Sequence, residues 1–142
     1  MKLHLSGMFM SAVVLALVSG CGSSRDVKVS GTFQGATASA SSPITVLFYE
    51  ANGSGDAGAA AAGTDLKLVD SIKVEQDGPF DATISMDGNN LTVVAVADTD
   101  MSGACTDGEA WGQTLVAVQS DDTAQVAVGL AAHDKCPALP AE

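Results

Sequence analysis

Between residues 98 and 109 the chain reads Asp98, Thr99, Asp100, Met101, Ser102, Gly103, Ala104, Cys105, Thr106, Asp107, Gly108, Glu109. Oxygen-bearing side chains stand at the first, third and fifth places of this run, glycine at the sixth and glutamate at the twelfth. A hard divalent cation takes six to eight oxygen ligands. Alternating side chains of an extended segment fall on one side, which brings Asp98, Asp100 and Ser102 together. The competing reading is a solvated acidic turn whose Asp, Ser and Gly residues bond only their own backbone.

The run resembles the twelve-residue EF-hand calcium loop. That resemblance implies a ligand set of Asp98, Asp100, Ser102, the Ala104 carbonyl at the seventh place and a bidentate Glu109, with Gly103 allowing the sharp turn. Calcium held this way in an extracellular module is weak, with Kd on the order of 0.1 to 1 mM. The flanks depart from the family. An apolar strand-like run precedes Asp98, and Trp111-Gly112 leads into another, so only the loop is similar and the helix-loop-helix unit is missing.

Other chemistry is thinly represented. His133 is the one histidine beyond the first twenty residues, in a polar tail beside Asp134 and Lys135. With Cys105 and Cys136 it would make a soft-metal site, since thiolate and imidazole are common zinc ligands, but the spacing is not that of a zinc knuckle. A hydrolase built on His133 lacks a Gly-x-Ser-x-Gly elbow. Asp121 and Asp122 read as a hairpin turn, although so acidic a chain always offers a carboxylate pair to a glycosidase-like mechanism. No glycine-rich phosphate loop followed by lysine is present. Trp111 and Tyr49 are candidate ligand platforms, set against the commoner role of large aromatics in a core.

The amino terminus has the layout of a secretory signal over residues 1–20: Lys2, an apolar stretch from Met8 to Val18 broken by Ser11, then Ser19 and Gly20. The apolar stretch is too short to cross a bilayer, which takes about twenty residues. Leu17, Val18, Ser19, Gly20 and Cys21 resemble the lipobox of bacterial lipoproteins. The resemblance implies a diacylglycerol-modified Cys21, cleavage after Gly20, palmitate-type acylation and firm attachment to a lipid bilayer, because two or more acyl chains suffice for stable anchoring. Gly22 and Ser23 follow where an inner-membrane retention signal has aspartate, so the expected place is the cell envelope, the outer membrane for a Gram-negative source. Residues 21–25 would be the lipidated tether and 26–142 the domain.

With Cys21 lipidated, Cys105 and Cys136 remain as a pair in an oxidising compartment, where a disulfide is the default. The chain carries a net charge of −11. A protein this acidic repels nucleic acid and anionic head groups. Its length allows one domain and not two.

Short runs rich in valine, isoleucine and threonine, separated by Gly, Asn and Asp, predict an all-β sandwich or barrel. Seven strands are expected at 27–33, 44–50, 66–74, 80–86, 91–97, 113–119 and 124–130. Val69 is out of phase, as in a bulge, and the second and fifth strands are apolar on both faces and so central. Asp77-Gly78 and Asp87-Gly88 predict two adjacent hairpins, and residues 51–63 a long Gly/Ala/Ser loop. The stretch 71–97 is similar in its rhythm to carboxypeptidase-regulatory or prealbumin-like β-sandwiches of exported bacterial proteins. The expected fold is a single seven-stranded antiparallel β-sandwich, prealbumin-like or immunoglobulin-like. The expected function is a non-catalytic binding or structural module, calcium-stabilised, contacting an envelope protein or an extracellular ligand. A small acidic hydrolase using carboxylates or His133 is the alternative, and edge-strand addition to a larger assembly a third reading.

Overall fold

A computed structural model describes residues 24–51 and 66–137. The signal, Cys21 and most of the tether, the 51–63 loop beyond its first residue and the last five residues lie outside them. The described chain is all β: β1 (Arg25–Gln34), β2 (Ile44–Ala51), β3 (Leu66–Val74), β4 (Phe80–Met86), β5 (Asn90–Ala97), β6 (Ala110–Ala117), β7 (Thr123–Gly129) and the short β8 (Ala131–Ala132). Among the described residues no helix is long and apolar enough to cross a membrane.

The strands form two sheets, ordered β4-β1-β7 and β3-β2-β5-β6-β8. Alternation makes the core. Val27 and Val29 of β1, Phe80, Ile84 and Met86 of β4, and Ala124, Val126 and Val128 of β7 face Ile44, Val46 and Phe48 of β2 and Leu91, Val93 and Ala95 of β5 in one buried cluster. Burying a side chain of this size contributes about 1.5–3 kcal/mol, so strands β2 and β5, with apolar residues on both faces, take the central places predicted for them. Val69 is the extra residue of a bulge: Phe48 lies opposite Asp70 while Tyr49 lies opposite Leu68.

Several expectations are corrected. There are eight strands among the described residues, not seven, and the sixth begins three residues earlier than predicted, at Ala110. The arrangement is not wholly antiparallel, because β1 pairs β7 in parallel, from Lys28 opposite Thr123 to Gln34 opposite Gly129. The strand order also differs from the immunoglobulin constant domain, in which the first strand pairs the second; here β1 pairs β4 and β7. Neither Asp-Gly turn closes a hairpin. Both Asp77-Gly78 and Asp87-Gly88 carry the chain from one sheet to the other, as does the turn at Asp121 and Asp122. A Gly at φ +125°, as at Gly78, reverses the chain, but burial on two opposed inner faces decides which sheet the next strand joins.

Two glycines are required by close approach. The Phe80 ring covers Gly31, its register partner on β1, and stacks on Phe33 with centroids 4.9 Å apart, so a Cβ at Gly31 would meet that ring and Val126. At Gly112 a Cβ would run into the Gly129 carbonyl, where β6 crosses β7.

The registers also fix which ends share a pole. Arg25 opens β1 opposite Met86, and its guanidinium donates to the Gly88 carbonyl and the Asn89 side chain and pairs with Asp122 at 3.1 Å. The chain therefore enters the domain beside the turns at 87–89 and 120–122. The segment 98–109, leaving β5 where Ala97 lies opposite Ile44, and the tail after β7 sit at the other pole.

Candidate functional site

β5 and β6 are antiparallel neighbours joined by residues 98–109, so the acidic segment is a loop clamped at both ends by two paired strands of the larger sheet. The Asp98 N–H donates to the Pro43 carbonyl at 2.9 Å, which seats the start of the loop on the β1–β2 connection. Left-handed backbone at Met101 (φ 57°), Gly103 (φ 77°) and Gly108 (φ 98°) coils the loop back on itself.

The coil brings the predicted residues together. Carboxylate oxygens of Asp98, Asp100 and Glu109 lie within 4.8 Å of one another. Asp98 and Glu109 are buried, at 1% and 6% exposure, while Asp100 is at the surface. The Ser102 hydroxyl is 2.9 Å from the Ala104 carbonyl. The three carboxylates thus converge, with the Ser102 hydroxyl bonded to Asp100 and the Ala104 carbonyl beside that hydroxyl.

A sixth was missed. Thr106, at the ninth place of the twelve, holds its hydroxyl 2.8 Å from Asp100 Oδ2 and 3.5 Å from the Ser102 hydroxyl. Its signal in the sequence is the side-chain oxygen two places beyond the Ala104 carbonyl, at a position that EF-hand loops fill with a ligand or a water.

Backbone amides compete for the same oxygens. Asp98 accepts the Ser102 N–H at 2.9 Å and the Gly103 N–H at 2.8 Å. Glu109 accepts the Thr99 N–H at 2.7 Å, the Thr99 hydroxyl at 3.0 Å and the Thr106 N–H at 2.9 Å. A carboxylate offers about four lone-pair sites; Asp98 accepts two of these bonds and Glu109 three, while Asp100 accepts the Ser102 N–H at 3.0 Å besides the Thr106 and Ser102 hydroxyls, so Asp98 is the most open of the three. The self-bonded acidic turn read from the sequence is therefore present, and it is the same arrangement that gathers the oxygens. Hydrogen bonds from the Ser102 and Thr106 hydroxyls hold the Asp100 carboxyl below its ordinary value.

The electrostatics are lopsided. The ion pairs among the described residues join Arg25 to Asp122, Lys67 to Glu50 and Lys73 to Glu75, and none reaches the loop. Buried charges are ordinarily paired or bound to metal; here two buried carboxylates and a third beside them have only neutral donors. The donor set is all oxygen, three carboxylates, two hydroxyls and a carbonyl, which suits a hard cation and not a soft one.

Cys105 and Cys136 are disulfide-bonded. Their sulfurs are thereby withdrawn from the soft-metal site considered with His133. The tail also meets the loop through the Cys136 N–H, which donates to Asp107 at 3.2 Å. Trp111, the second residue of β6, is half-buried, packed with Cys105, Val94 and Val96 in a second apolar cluster on the outer face of the larger sheet. It belongs to neither the main core nor a bare platform. Its indole N–H donates to the Lys135 carbonyl at 2.9 Å, and the exposed His133 ring rests against it with centroids 4.6 Å apart. Tyr49 is buried in the same cluster at 3% exposure.

Glu50 is a buried carboxylate that sequence reading passed over. Burial would raise its pKa, but hydrogen bonds from the Asp87 N–H, Lys67 and the Gly88 N–H outweigh that and hold it below the ordinary value. It ties the 87–89 turn to β2 and takes no part in the acidic loop. Comparison with family models, with curated proteins and with solved structures finds no match to this chain.

Proposed function

We propose that this chain is a bacterial envelope lipoprotein, attached to the bilayer through acylated Cys21, whose β-sandwich domain is a non-catalytic binding or structural module with one calcium site at the pole away from the anchor. The carrying observation is the convergence of Asp98, Asp100 and Glu109, two of them buried, with no basic partner among the described residues. Calcium would be held by those carboxylates with Ser102, Thr106 and the Ala104 carbonyl. It would supply the missing positive charge, stiffening the loop between β5 and β6. Of the two sandwich types expected, the prealbumin-like one is favoured by the parallel β1–β7 pairing and by the absence of β1–β2 pairing.

Attachment rests on the order Leu17, Val18, Ser19, Gly20, Cys21. Expected partners are an envelope protein or an extracellular ligand, and not nucleic acid, given the net charge of −11. Two measurements test the reading. Labelled palmitate incorporated by the bacterial host into the wild type, but not into Cys21→Ser, supports the anchor, and equal labelling removes it. Thermal unfolding in EDTA, then in calcium with magnesium as control, tests the cation: a calcium-specific rise in Tm is expected, and superposed curves refute the site.

A further inference from the structure

We infer that the Cys105–Cys136 disulfide is a redox clasp, whose opening by a dithiol frees the C-terminal tail and uncovers Trp111 while the sandwich stays folded. The inference goes beyond the proposed calcium site and does not depend on it.

The argument starts from how the tail is held. After β7, the Leu130 N–H donates to the Gln34 carbonyl at 2.7 Å, and Ala131 and Ala132 pair with Trp111 and Ala110. These contacts fix the chain as far as β8. Beyond it, His133, Asp134 and Lys135 are exposed and Cys136 is half-buried. The described contacts of this last stretch are the His133 ring on Trp111, the Lys135 carbonyl on the indole N–H, the Cys136 N–H on Asp107, and the disulfide. Hydrogen bonds at exposed positions exchange readily with water and hold little by themselves. The covalent bond keeps their partners at high effective concentration. Remove it, and the tail past β8 loses its hold.

What the tail covers lies on the outer face of the large sheet. Trp111 sits opposite Val96 in the β5–β6 register, and both belong to the second apolar cluster, which also contains Cys105. The main core, by contrast, is built from β1, β2, β4, β5 and β7 and includes no residue of 131–137. The loop at 98–109 is also held by carboxylate-to-amide bonds that do not involve the disulfide. Opening is therefore local. Both cysteines are half-buried and outside the main core, so attack by a thiolate does not require the core to open. The exchange is balanced: a dithiol thiolate attacks one sulfur to form a mixed disulfide and expels the other as thiolate, its second thiol closes on the first, and two protein thiols and an oxidised dithiol result.

Trp111 is the single tryptophan of the chain, so its fluorescence reads the clasp directly. The full chain carrying Cys21→Ser, purified in detergent and kept in EDTA, is compared before and after excess dithiothreitol, with thiols counted to establish complete reduction. Expected are retention of the far-UV β signal, a red-shifted Trp111 emission and a severalfold rise in acrylamide quenching, all reversed on reoxidation. Cys136→Ser should show the same emission without reductant. An unchanged emission in fully reduced protein overturns the inference. So does a disulfide that opens only when the β signal is lost, because the bond is then a lock on the whole fold. Since calcium and lipid are absent, a negative calcium or palmitate result leaves this test intact.

Discussion

Asp98→Asn separates a cation ligand from a hydrogen-bonding turn residue. In EDTA two effects oppose each other. The amide keeps one acceptor and turns a donor toward the other, so one bond to a charged acceptor, worth about 1.5–3 kcal/mol, is lost. Gly103, whose N–H donates to Asp98, is exposed and recovers water, which puts the loss at the low end. Against it stands relief of like-charge repulsion from Asp100 and Glu109, whose oxygens lie within 4.8 Å. At that separation Coulomb's law gives about 1 kcal/mol per pair in bulk water and about 3.5 at an effective dielectric constant of 20. With two such pairs the relief matches or exceeds the lost bond, so in EDTA the variant is expected to be as stable as the wild type or more stable. Calcium breaks the balance. At a hundred times Kd, a ligand that binds only the folded state contributes about 2.7 kcal/mol, near 10 °C in Tm at roughly 4 °C per kcal/mol for a domain of this size. The wild type should show that increment and Asp98→Asn should lose most of it, by differential scanning calorimetry in matched buffers. If Asp98→Asn keeps the full increment, calcium binds elsewhere and the convergence of carboxylates is only the geometry of a turn.

Four further outcomes are expected. Thr106→Ala should weaken calcium binding several-fold in titration calorimetry while leaving the fold intact; an unchanged Kd would remove Thr106 from the ligand set. Gly112→Ala should cost at least the roughly 1–3 kcal/mol typical of overpacking, because its Cβ meets the backbone of Gly129; a denaturant midpoint equal to wild type would contradict the close crossing of β6 and β7. Cys136→Ser opens a loop with a sequence separation of 31 and should cost about 3–4 kcal/mol on the chain-entropy estimate, read from urea unfolding of oxidised protein. Glu50, held below its ordinary value of 4.5, contributes stability that is present above the unfolded pKa and lost as pH falls through the lowered native value. Wild-type Tm should thus fall more steeply than that of Glu50→Gln on acidification from about pH 5 to pH 3, and parallel curves would show that the Asp87 and Gly88 amides do not depend on the charge.

Strands were legible because burial on one face of a sheet imposes a period of two, and Phe80, Ala82, Ile84 and Met86 repeat at that period on β4. The bulge at Val69 was legible for the same reason, since one extra residue breaks the phase. Pairing was not. Asp77-Gly78 and Asp87-Gly88 specify a reversal, and a reversal serves equally for a hairpin and for a crossing between sheets. The choice is made by Phe80, Ile84 and Met86, which must meet Phe48 and Leu91 face to face and not side by side. Nor does anything in β1 announce a parallel partner nearly a hundred residues away, because parallel and antiparallel neighbours can present the same apolar face.

The acidic loop divides in the same way. Its oxygen spacing was readable at the first, third, fifth, seventh and twelfth places because a tight loop turns sequence separation into proximity. What spacing withholds is how many oxygens are already spent. Glu109, expected to close a cation site with both oxygens, accepts hydrogen bonds from Thr99 and Thr106, and Asp98 holds the amides of Ser102 and Gly103. These bonds also fix the carboxylates where they converge, buried and without a basic residue beside them. Preorganisation and competition therefore come from the same amides. An occupied site would have to use the lone pairs that these bonds leave, which favours Asp98 over Glu109. Glu109→Gln should accordingly lower calcium affinity less than Asp98→Asn, an order that titration calorimetry of the two variants can read. The reverse order would mean that Glu109 gives up its bonds to Thr99 and Thr106 when the cation binds.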